Sequence, residues 1–458
     1  MQAVPVIDAA LLRKHDVQGP RYTSYPTADR FDAAYDARSL AASLAGRAAG
    51  RPWSIYMHLP FCDTLCYYCA CNKVITRDHG KSARYVAYLE RELALLEPLL
   101  GEDRRACQLH WGGGTPTFLA REEMRRLVDA VDARFSRSED FECSIEVDPR
   151  RLERGTFAFL AGLGFNRVSI GVQDFDAQVQ QAVHRIQSEE VTRAAVEEAR
   201  ASGFRSVNLD LIYGLPRQTL DGFARTLDKV IALAPDRIAL YSYAHLPHAF
   251  KPQRRIAIAE LPAPATKLGI LTLAIERLAG AGYLYIGMDH FARPDDSLAL
   301  AQAQGRLQRN FQGYSTHADC DMLALGISAI GRVGDAYYQN AKTLQEYYAS
   351  LDEGRLPVVR GARLGADDLL RREIIQSLAC HFRVSVPGIE RAHGVEFWRY
   401  FGAEADALRE LANDGLVELS AEAIEVTPRG RLLVRAVCMV FDRYLRERAQ
   451  RAAYSKVV

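Results

Sequence analysis

Residues 61–73 read FCDTLCYYCACNK and place Cys62, Cys66, Cys69 and Cys71 within ten residues. The first three cysteines have the spacing C-x3-C-x2-C. Thiolates this close in one loop must surround a single compact centre. Zinc sites usually combine well-separated ligand pairs or mix cysteine with histidine, whereas iron–sulfur clusters accept closely spaced thiolates. The loop therefore favours an iron–sulfur cluster over zinc, and its polar neighbours argue against buried structural thiols.

The remaining composition is that of an ordinary globular protein. The chain has 458 residues, 48% of them hydrophobic, and a formal net charge of +1, which gives no reason to expect nucleic acid or an anionic membrane as a partner. No apolar run is long enough for a membrane span, and the N-terminal stretch does not resemble a secretory signal. The nine cysteines form an odd number and five are scattered. These features predict a cytoplasmic protein with reduced thiols.

Short β-type runs alternate with long helical segments from residue 53 onward. The predicted strands are 53–59, 107–112, 141–147, 166–172, 206–214 and 237–243. The helical spacing of apolar residues between them, as in KSARYVAYLERELALLEPLL, indicates βα units. Six such units in a row predict an α/β fold with a partial (β/α)6 barrel, and an open doubly wound sheet is the alternative.

Both ends of the chain differ from this pattern. Residues 1–50 are predicted to form an irregular arm with one short helix, serving as a lid. Residues 51–350 are predicted to form the barrel with a substrate-binding extension. Residues 351–458 are predicted to form a helical domain with a two-stranded hairpin, as in a winged-helix module. Its last helix is predicted for PRGRLLVRAVCMVFDRYLRER, residues 428–448.

Glycine and polar residues follow the predicted strands, at the ends that form the active-site face of an α/β barrel. The stretch GGGTP, residues 112–116, follows the second strand, and its glycines let a ligand approach the backbone closely. Glu146 ends the third strand and Gln173 follows the fourth. Asp210 lies in the fifth strand, where a buried carboxylate is costly unless it is paired. Arg185 offers a planar fork that suits a carboxylate.

The cysteine loop resembles that of the radical S-adenosylmethionine enzymes, which share this spacing and an aromatic residue, Tyr68 in this chain, before the third cysteine. The resemblance extends along essentially the whole chain through GPRYTSYPT, CYYCACNK, HWGGGTPT, GFNRVSIGVQDF, NLDLIYGLP, YAHLP, GMDHFARPDD and RNFQGY. Together these motifs resemble the family of oxygen-independent coproporphyrinogen III oxidases, also called dehydrogenases. Tyr68 and Ala70 stand where phenylalanine and glycine are expected, and both are mild departures.

The resemblance implies a [4Fe-4S] cluster held by Cys62, Cys66 and Cys69. One iron is then left open to S-adenosylmethionine, and Cys71 lies near the site but off the cluster. Two molecules of S-adenosylmethionine are implied in one site. The residues implied for the first are Tyr56, Gly113, Glu146 and Ile330, and those for the second are Tyr68, Gly114, Thr115, Gln173, Arg185, Asp210 and Ala244. The residues implied in catalysis are Cys71, Tyr56 and Glu146.

The implied reaction is the oxidative decarboxylation of two propionate side chains of coproporphyrinogen III to vinyl groups, by a 5′-deoxyadenosyl radical mechanism in haem biosynthesis. The product is protoporphyrinogen IX. The implied partners are this tetrapyrrole and a flavodoxin- or ferredoxin-like electron donor, and the family suggests a monomer. Candidate contacts for the substrate are Arg21, Tyr22, His290, Arg293 and Gln312.

Three alternatives remain open from the sequence. A related radical enzyme or a haem chaperone would carry the cluster without decarboxylating this substrate. A non-enzymatic zinc protein would use the same thiols. A DNA-binding regulator would use the basic C-terminal module, although Asp442 and Glu447 dilute its charge and no recognition helix stands out. The arginines of that module are Arg429, Arg431, Arg435, Arg443, Arg446 and Arg448.

Overall fold

A computed structural model describes residues 4–318, 320–446 and 456 of the chain. In chain order its strands are β1 (Trp53–Leu59), β2 (Phe61–Cys62), β3 (Val74–Ile75), β4 (Arg105–Gly113), β5 (Ser136–Val147), β6 (Arg167–Gln173), β7 (Ser206–Tyr213), β8 (Arg237–Ser242), β9 (Leu284–Gly287), β10 (His290–Ala292), β11 (Gln308–Asn310), β12 (Gly313–Ser315), β13 (Asp321–Leu325), β14 (Ile330–Val333), β15 (Ala336–Asn340), β16 (Val358–Arg363), β17 (Arg383–Ser385), β18 (Val417–Leu419) and β19 (Ala423–Val426).

One large sheet organises the fold, with its strands in the order β16-β15-β14-β13-β1-β4-β5-β6-β7-β8-β10-β9. The strands from β13 to β8 are parallel, and the outer strands on both sides pair antiparallel. The predicted strands correspond to β1 and β4 to β8, so the predicted α/β fold around a parallel sheet is confirmed. β13 is a further parallel strand, paired with β1, that was not predicted.

Helices connect the parallel strands and cover them. In chain order they are α1 (Ala9–His15), α2 (Ala37–Ala45), α3 (Gly80–Leu96), α4 (Arg121–Asp132), α5 (Thr156–Gly162), α6 (Ala177–Ala182), α7 (Glu189–Ala201), α8 (Leu220–Leu233), α9 (Pro264–Gly280), α10 (Ser297–Ala303), α11 (Leu344–Asp352), α12 (Ala366–His381), α13 (Val386–His393), α14 (Phe397–Tyr400), α15 (Gly402–Asn413), α16 (Val434–Val440) and α17 (Arg443–Arg446). None of the described helices is long and apolar enough to cross a lipid bilayer.

The helix α7 illustrates how the sequence positions these elements. The Ser188 side chain caps its first turn by accepting a hydrogen bond from the Val191 N–H, and two glutamates occupy that turn. Its buried residues recur at spacings of three and four, which gives the helix one face toward the sheet. These residues are Thr192, Ala195, Val196 and Ala199.

The N-terminal arm is packed into the fold. It contains α1, a helix that was not predicted and that is capped by the side chain of Asp8. The buried Tyr22 hydroxyl donates a hydrogen bond to Asp442 Oδ2 at 3.0 Å, and Arg435 Nε donates to Pro20 O at 3.0 Å. Deleting the arm would therefore expose core contacts with the C-terminal region.

The C-terminal region combines helices α12 to α15 with an antiparallel sheet in the order β17-β19-β18. The predicted hairpin is β18 and β19, and β17 was not predicted. The prediction of one continuous last helix is wrong, because the Asp442 side chain accepts hydrogen bonds from Tyr22 and from the Tyr444 N–H and so separates α16 from α17. Glu447 and Arg448, which belonged to that prediction, lie outside the described residues.

Candidate active site

Two short strands hold the cysteine loop at the carboxyl end of β1. β2 and β3 pair in parallel, so the loop leaves and returns at the same place. Its middle is fixed from the side of α6, where the Tyr67 N–H donates to Val183 O at 2.9 Å and His184 Nδ1 lies 2.7 Å from Leu65 O. These contacts fix the shape of the cysteine loop, which has little regular secondary structure.

The loop thiols differ in their ease of ionisation. Burial raises the pKa of Cys62 to about 12, and the Thr115 hydroxyl lies 3.5 Å from its Sγ. A hydrogen bond with Cys71, together with the charge of Lys73, lowers the pKa of Cys69 to about 6. Cys71 itself is exposed. Because a metal ligand must be a thiolate, the lowered pKa makes Cys69 easier to ionise for metal binding than Cys62.

The glycine loop after β4 lies directly against the cysteine loop. Gly113 has a φ of +114°, and a Cβ at this position would lie 2.6 Å from the His58 ring. A Cβ on Gly114 would lie 2.5 Å from the Pro60 carbonyl, and the Gly114 N–H donates to Leu59 O at 2.8 Å. Larger residues at either position would push the two loops apart.

Glu146 is held by the glycine loop and by two aromatic rings beneath it. The Gly113 N–H donates to Glu146 Oε2 at 3.1 Å, and His110 Nε2 lies 3.5 Å from Oε1. Desolvation opposes ionisation, but His110 and the Gly113 N–H outweigh it and keep the pKa of Glu146 below its usual value. Tyr56 stacks on His110 with ring centroids 5.8 Å apart, and its hydroxyl lies 3.0 Å from His58 Nδ1.

A buried ion-pair network lies beside Cys66. Arg185 Nη1 is 3.1 Å from Asp148 Oδ2, and its Nη2 donates to Gly171 O at 2.7 Å. Arg150 Nη2 donates to the same Asp148 oxygen at 2.6 Å. Burial opposes ionisation of Asp148, but the two arginines hold its pKa at about 2. Both guanidinium groups also approach Cys66 Sγ, Arg150 at 3.5 Å and Arg185 at 3.6 Å.

Asp210 forms the opposite wall. The Ser169 hydroxyl donates to its Oδ2 at 2.9 Å and Asn208 Nδ2 to its Oδ1 at 2.8 Å. Burial nevertheless raises the pKa of Asp210 to about 6, and the two hydrogen bonds and the charge of Arg185 offset it only in part. Gln173 ends β6 with a φ of +72°, a left-handed conformation that is uncommon outside glycine.

These side chains surround a cavity of about 320 Å³. The predicted site residues that line it are Cys62, Cys66, Tyr68, Cys69, Cys71, Gly113, Gly114, Thr115, Glu146, Gln173, Arg185 and Asp210. The fold thus brings together most of the residues singled out from the sequence, although the role of each remains a prediction.

Three predicted site residues do not line this cavity. Tyr56 lies behind Glu146 in the stack with His110. The carbonyl of Ala244 accepts from Gln253 Nε2, which also donates to Tyr68 O, so Ala244 is linked to the cavity wall through that amide. Ile330 begins β14 and packs beside an apolar cluster; the cluster consists of Phe31, Tyr337 and Leu364.

A second, polar cavity of about 140 Å³ adjoins the first and shares Glu146, Ser169, Asp210 and Tyr241 with it. It continues between the strands toward their amino ends, where Arg167 Nη2 donates to Glu142 Oε1 at 3.0 Å. Through these shared wall residues the two cavities form one continuous space.

The candidate substrate contacts are divided by the structure. Gln312 and His290 line the second cavity. Arg21 pairs with Asp289 at 2.7 Å, and Tyr22 is buried against the C-terminal region. Arg293 is half-exposed and near Asp295. Of the five candidates, Gln312 and His290 are therefore the two that line the joined cavities.

The residues present fit an iron–sulfur cluster with a bound amino-acid-bearing cofactor. Four thiols of one loop line the cavity, and two glycines that cannot accept a Cβ leave backbone groups beside them. Arg185 is buried, yet its Nε has no hydrogen-bond partner among the described residues, so a donor for a carboxylate remains. Soft thiolates beside hard polar donors suit this combination.

Several residues of the site were not predicted. Asp148, Arg150 and Tyr241 were not among the candidate residues. The run DPR, which follows a strand at residues 148–150, was the available signal for the ion pair. His58 is buried and connects the Tyr56 hydroxyl to Asn72 O, which lies 2.8 Å from its Nε2.

Comparison with known proteins agrees with this geometry. Residues 56–230 match the Radical SAM superfamily, and residues 364–433 match the HemN C-terminal domain. The chain is 51% identical over 456 residues to the oxygen-independent coproporphyrinogen III oxidase of Pseudomonas aeruginosa and 48% identical over 451 residues to that of Escherichia coli K12. Each alignment covers 98% of both chains.

The solved structure of coproporphyrinogen III oxidase (HemN) from Escherichia coli, described as a radical SAM enzyme, superposes with a TM-score of 0.93 at 47% identity. It covers 96% of this chain and 100% of the other. Fold and site therefore define a radical SAM enzyme, a class whose cofactors are a [4Fe-4S] cluster and S-adenosylmethionine, as predicted. Within that class the chain belongs to the family of oxygen-independent coproporphyrinogen III oxidases.

Proposed function

We propose that this protein converts two propionate side chains of coproporphyrinogen III to vinyl groups by oxygen-independent oxidative decarboxylation, giving protoporphyrinogen IX. The observation that carries the proposal is the continuity between the thiol-lined cavity and the polar cavity, which share Glu146 and Asp210. Cofactor and substrate would then meet in one space. Relatives similar over nearly the whole chain carry the name of this activity.

Cys62, Cys66 and Cys69 are the proposed cluster ligands, and Cys71 is proposed to stay off the cluster. The exposure of Cys71 and its hydrogen bond to Cys69 suit a residue at the edge of the site. When bound, the cluster and S-adenosylmethionine supply the radical that removes a hydrogen atom from the propionate. The chain's own contribution is to orient these groups and to exclude water.

We further propose that two molecules of S-adenosylmethionine share the cavity. The first would be bound by Gly113, Glu146, Tyr56 and Ile330, and its ammonium group would face the ionised Glu146. The second would be bound on the side of Arg185 and Asp210, with Tyr68, Gly114, Thr115, Gln173 and Ala244 completing its contacts. The unpartnered Arg185 Nε would donate to a carboxylate, and Asp210 would accept from ribose hydroxyls.

Gln312 and His290 are proposed to contact the tetrapyrrole from the second cavity. Desolvation lowers the pKa of His290 to about 3, so it would act as a neutral hydrogen-bonding group at physiological pH. Reduction by a flavodoxin- or ferredoxin-like donor, a monomeric state and a cytoplasmic location complete the proposal.

Anaerobic reconstitution with iron and sulfide, followed by turnover with S-adenosylmethionine, coproporphyrinogen III, a chemical reductant for the cluster and an electron acceptor for the substrate radical, tests the function. Mass spectrometry should detect the loss of two carboxyl groups as carbon dioxide and the formation of two vinyl groups. The variant Cys66→Ala, treated in the same way, is the control. A cluster-loaded protein that yields no vinyl product would refute the proposal, and haem binding without turnover would favour the chaperone alternative.

A further inference from the structure

A small cavity of about 20 Å³ lies at the amino-terminal side of the sheet, next to the second cavity: the Ser54 hydroxyl in its wall donates to Gln108 Oε1 in the wall of the second cavity at 2.8 Å. The N-terminal arm contributes Thr23 to its wall, the sheet contributes Arg332 on β14, and α12 contributes Arg372. Arg309 on β11 completes a group of three guanidinium groups around one small space. The arm, the sheet and the C-terminal region meet at this point.

None of these three arginines forms an ion pair with a carboxylate among the described residues. Arg309 donates from Nε to Arg21 O at 3.3 Å, and its Nη1 is buried without a hydrogen-bond partner. Arg332 donates from Nη2 to Cys320 O at 2.5 Å. Arg372 also has a buried Nη1 without a partner.

Two carboxylates beside the wall residues of the cavity pair with other cations. Asp321 pairs with Arg47 and Arg51. Glu142 accepts from Arg167 and lies 3.7 Å from His317 Nε2. The cavity is therefore surrounded by positive charge that no described side chain balances.

Burial makes this imbalance costly. Arg309 is 5% exposed and Arg332 is 9% exposed. Desolvation, followed by repulsion from Arg372, lowers the pKa of Arg332. Charged groups removed from water are tolerated when an opposite charge and hydrogen bonds replace the lost solvation. A water molecule would satisfy the open N–H groups but would leave the charge uncompensated.

We propose that Arg309, Arg332 and Arg372 bind one small monovalent anion, of the size and charge of chloride. The cavity has room for about one water-sized group, so phosphate, sulfate and a carboxylate attached to a large molecule are excluded. The two open Nη1 groups supply hydrogen bonds and the three guanidinium groups supply charge. The anion would join the arm and α12 to the sheet and would stabilise their packing.

Crystals of the full chain grown or soaked in bromide test occupancy directly. A bromide anomalous peak is expected between the three guanidinium groups. Absence of that peak at a bromide concentration that labels surface sites would overturn the proposal.

Thermal unfolding in matched chloride and gluconate salts tests the energetic role. A ligand that binds only the folded state raises the midpoint, so the wild-type protein should unfold about 2 °C or more higher in chloride than in gluconate. The variant Arg332→Met removes one charge at similar length, and it should lose the chloride dependence. It should also gain stability in gluconate relative to the wild type, because repulsion is relieved.

Arg399→Met is the matched control, because Arg399 is 85% exposed on another surface and its removal should preserve the chloride effect. Equal midpoints of the wild-type protein in the two salts would overturn the proposal. That result is expected if water alone occupies the cavity or if a thiolate at Cys320 balances the charge. If Arg332→Met fails to fold, Arg372→Met takes its place and should likewise lose the chloride dependence, and the bromide experiment tests occupancy independently.

Discussion

Two groups of thiols lie at opposite ends of β1, and they differ in their burial, their neighbours and the space beside them. At the carboxyl end, the loop thiols Cys62, Cys66 and Cys69 line an open cavity of about 320 Å³. At the amino end, Cys107 and Cys320 are buried with their Sγ atoms 2.6 Å apart. With a nitrogen of His317, these two sulfurs lie within 4.8 Å of one another.

Proximity of ligand atoms does not by itself define a cofactor site. The loop thiols come from one short segment, Cys66 has two arginine neighbours, and the loop adjoins two glycines that leave room for a ligand. The inner pair is brought together from strands 213 residues apart. A hydrogen bond between the two thiols, together with burial, raises the pKa of Cys107, which disfavours its thiolate form.

The largest expected effect comes from Cys66→Ala, which removes the thiol nearest Arg150 and Arg185. We expect the reconstituted variant to hold far fewer than the about four irons of a cubane cluster and to lose turnover, because the cofactor carries the chemistry. Iron and sulfide analysis and the visible absorption spectrum measure the effect.

Cys320→Ala is the matched control from the other end of β1. It should keep the full iron content and measurable turnover, with only a modest loss of stability from a small buried void. Equal loss of iron in both variants would remove the distinction between the two thiol groups.

A smaller effect is expected from Glu146→Gln. The variant keeps the shape of the side chain but loses the charge that His110 and the Gly113 N–H stabilise. Affinity for S-adenosylmethionine should fall about 10- to 100-fold, the usual cost of a lost charged hydrogen bond, while iron content stays unchanged. Equilibrium binding to the reconstituted protein measures it. Glu153→Gln, at a side chain that is 84% exposed, is the control, and equal affinities of all three proteins would contradict the role of Glu146.

The parallel core could be predicted because each of its strands is a distinct apolar run followed by a helical pattern. β13 could not, because all five of its residues are buried and show no alternation, and it follows short hairpin strands instead of a helix. The break between α16 and α17 depends on the Tyr22–Asp442 hydrogen bond, which joins residues 420 positions apart. No local sequence pattern predicts such a contact.

The candidate site was predictable where strand ends carry polar residues, as at Glu146 and Asp210. The Asp148 pairing was not, because an aspartate before proline is typical of a turn whether or not two arginines approach it. The charge cluster of Arg309, Arg332 and Arg372 was also invisible, since the three residues come from separate elements and each is an ordinary surface residue type.

A pH dependence of about tenfold or less is expected from Asp210. Its pKa of about 6 lies above that of an exposed aspartate, so the carboxyl group is largely neutral at pH 5 and ionised at pH 7. If the ionised form accepts from a cofactor hydroxyl, affinity should rise across this interval, and Asp210→Asn should flatten the profile.

The effect of Asp210 on stability has the opposite sign. Because folding raises its pKa, its contribution to the free energy of unfolding is fully present below about pH 4 and is lost as the pH rises through 6. Denaturant unfolding of the wild type and of Asp210→Asn at pH 5 and pH 7 separates this term from cofactor binding. A profile unchanged by the substitution would assign the titration to another group.

The smallest expected effect is that of Cys71→Ser on iron content, and it distinguishes Cys71 from the three proposed ligands of the same loop. Cys71 is exposed and hydrogen-bonded to Cys69, so its position resembles that of a ligand. We propose that it does not bind the cluster and that one iron therefore stays open. The variant should bind the same amount of iron as the wild type, and S-adenosylmethionine should still perturb the spectrum of the reduced cluster. A loss of iron as large as that in Cys66→Ala would make Cys71 a fourth ligand, and a cluster with four thiolates would have no iron open to the cofactor.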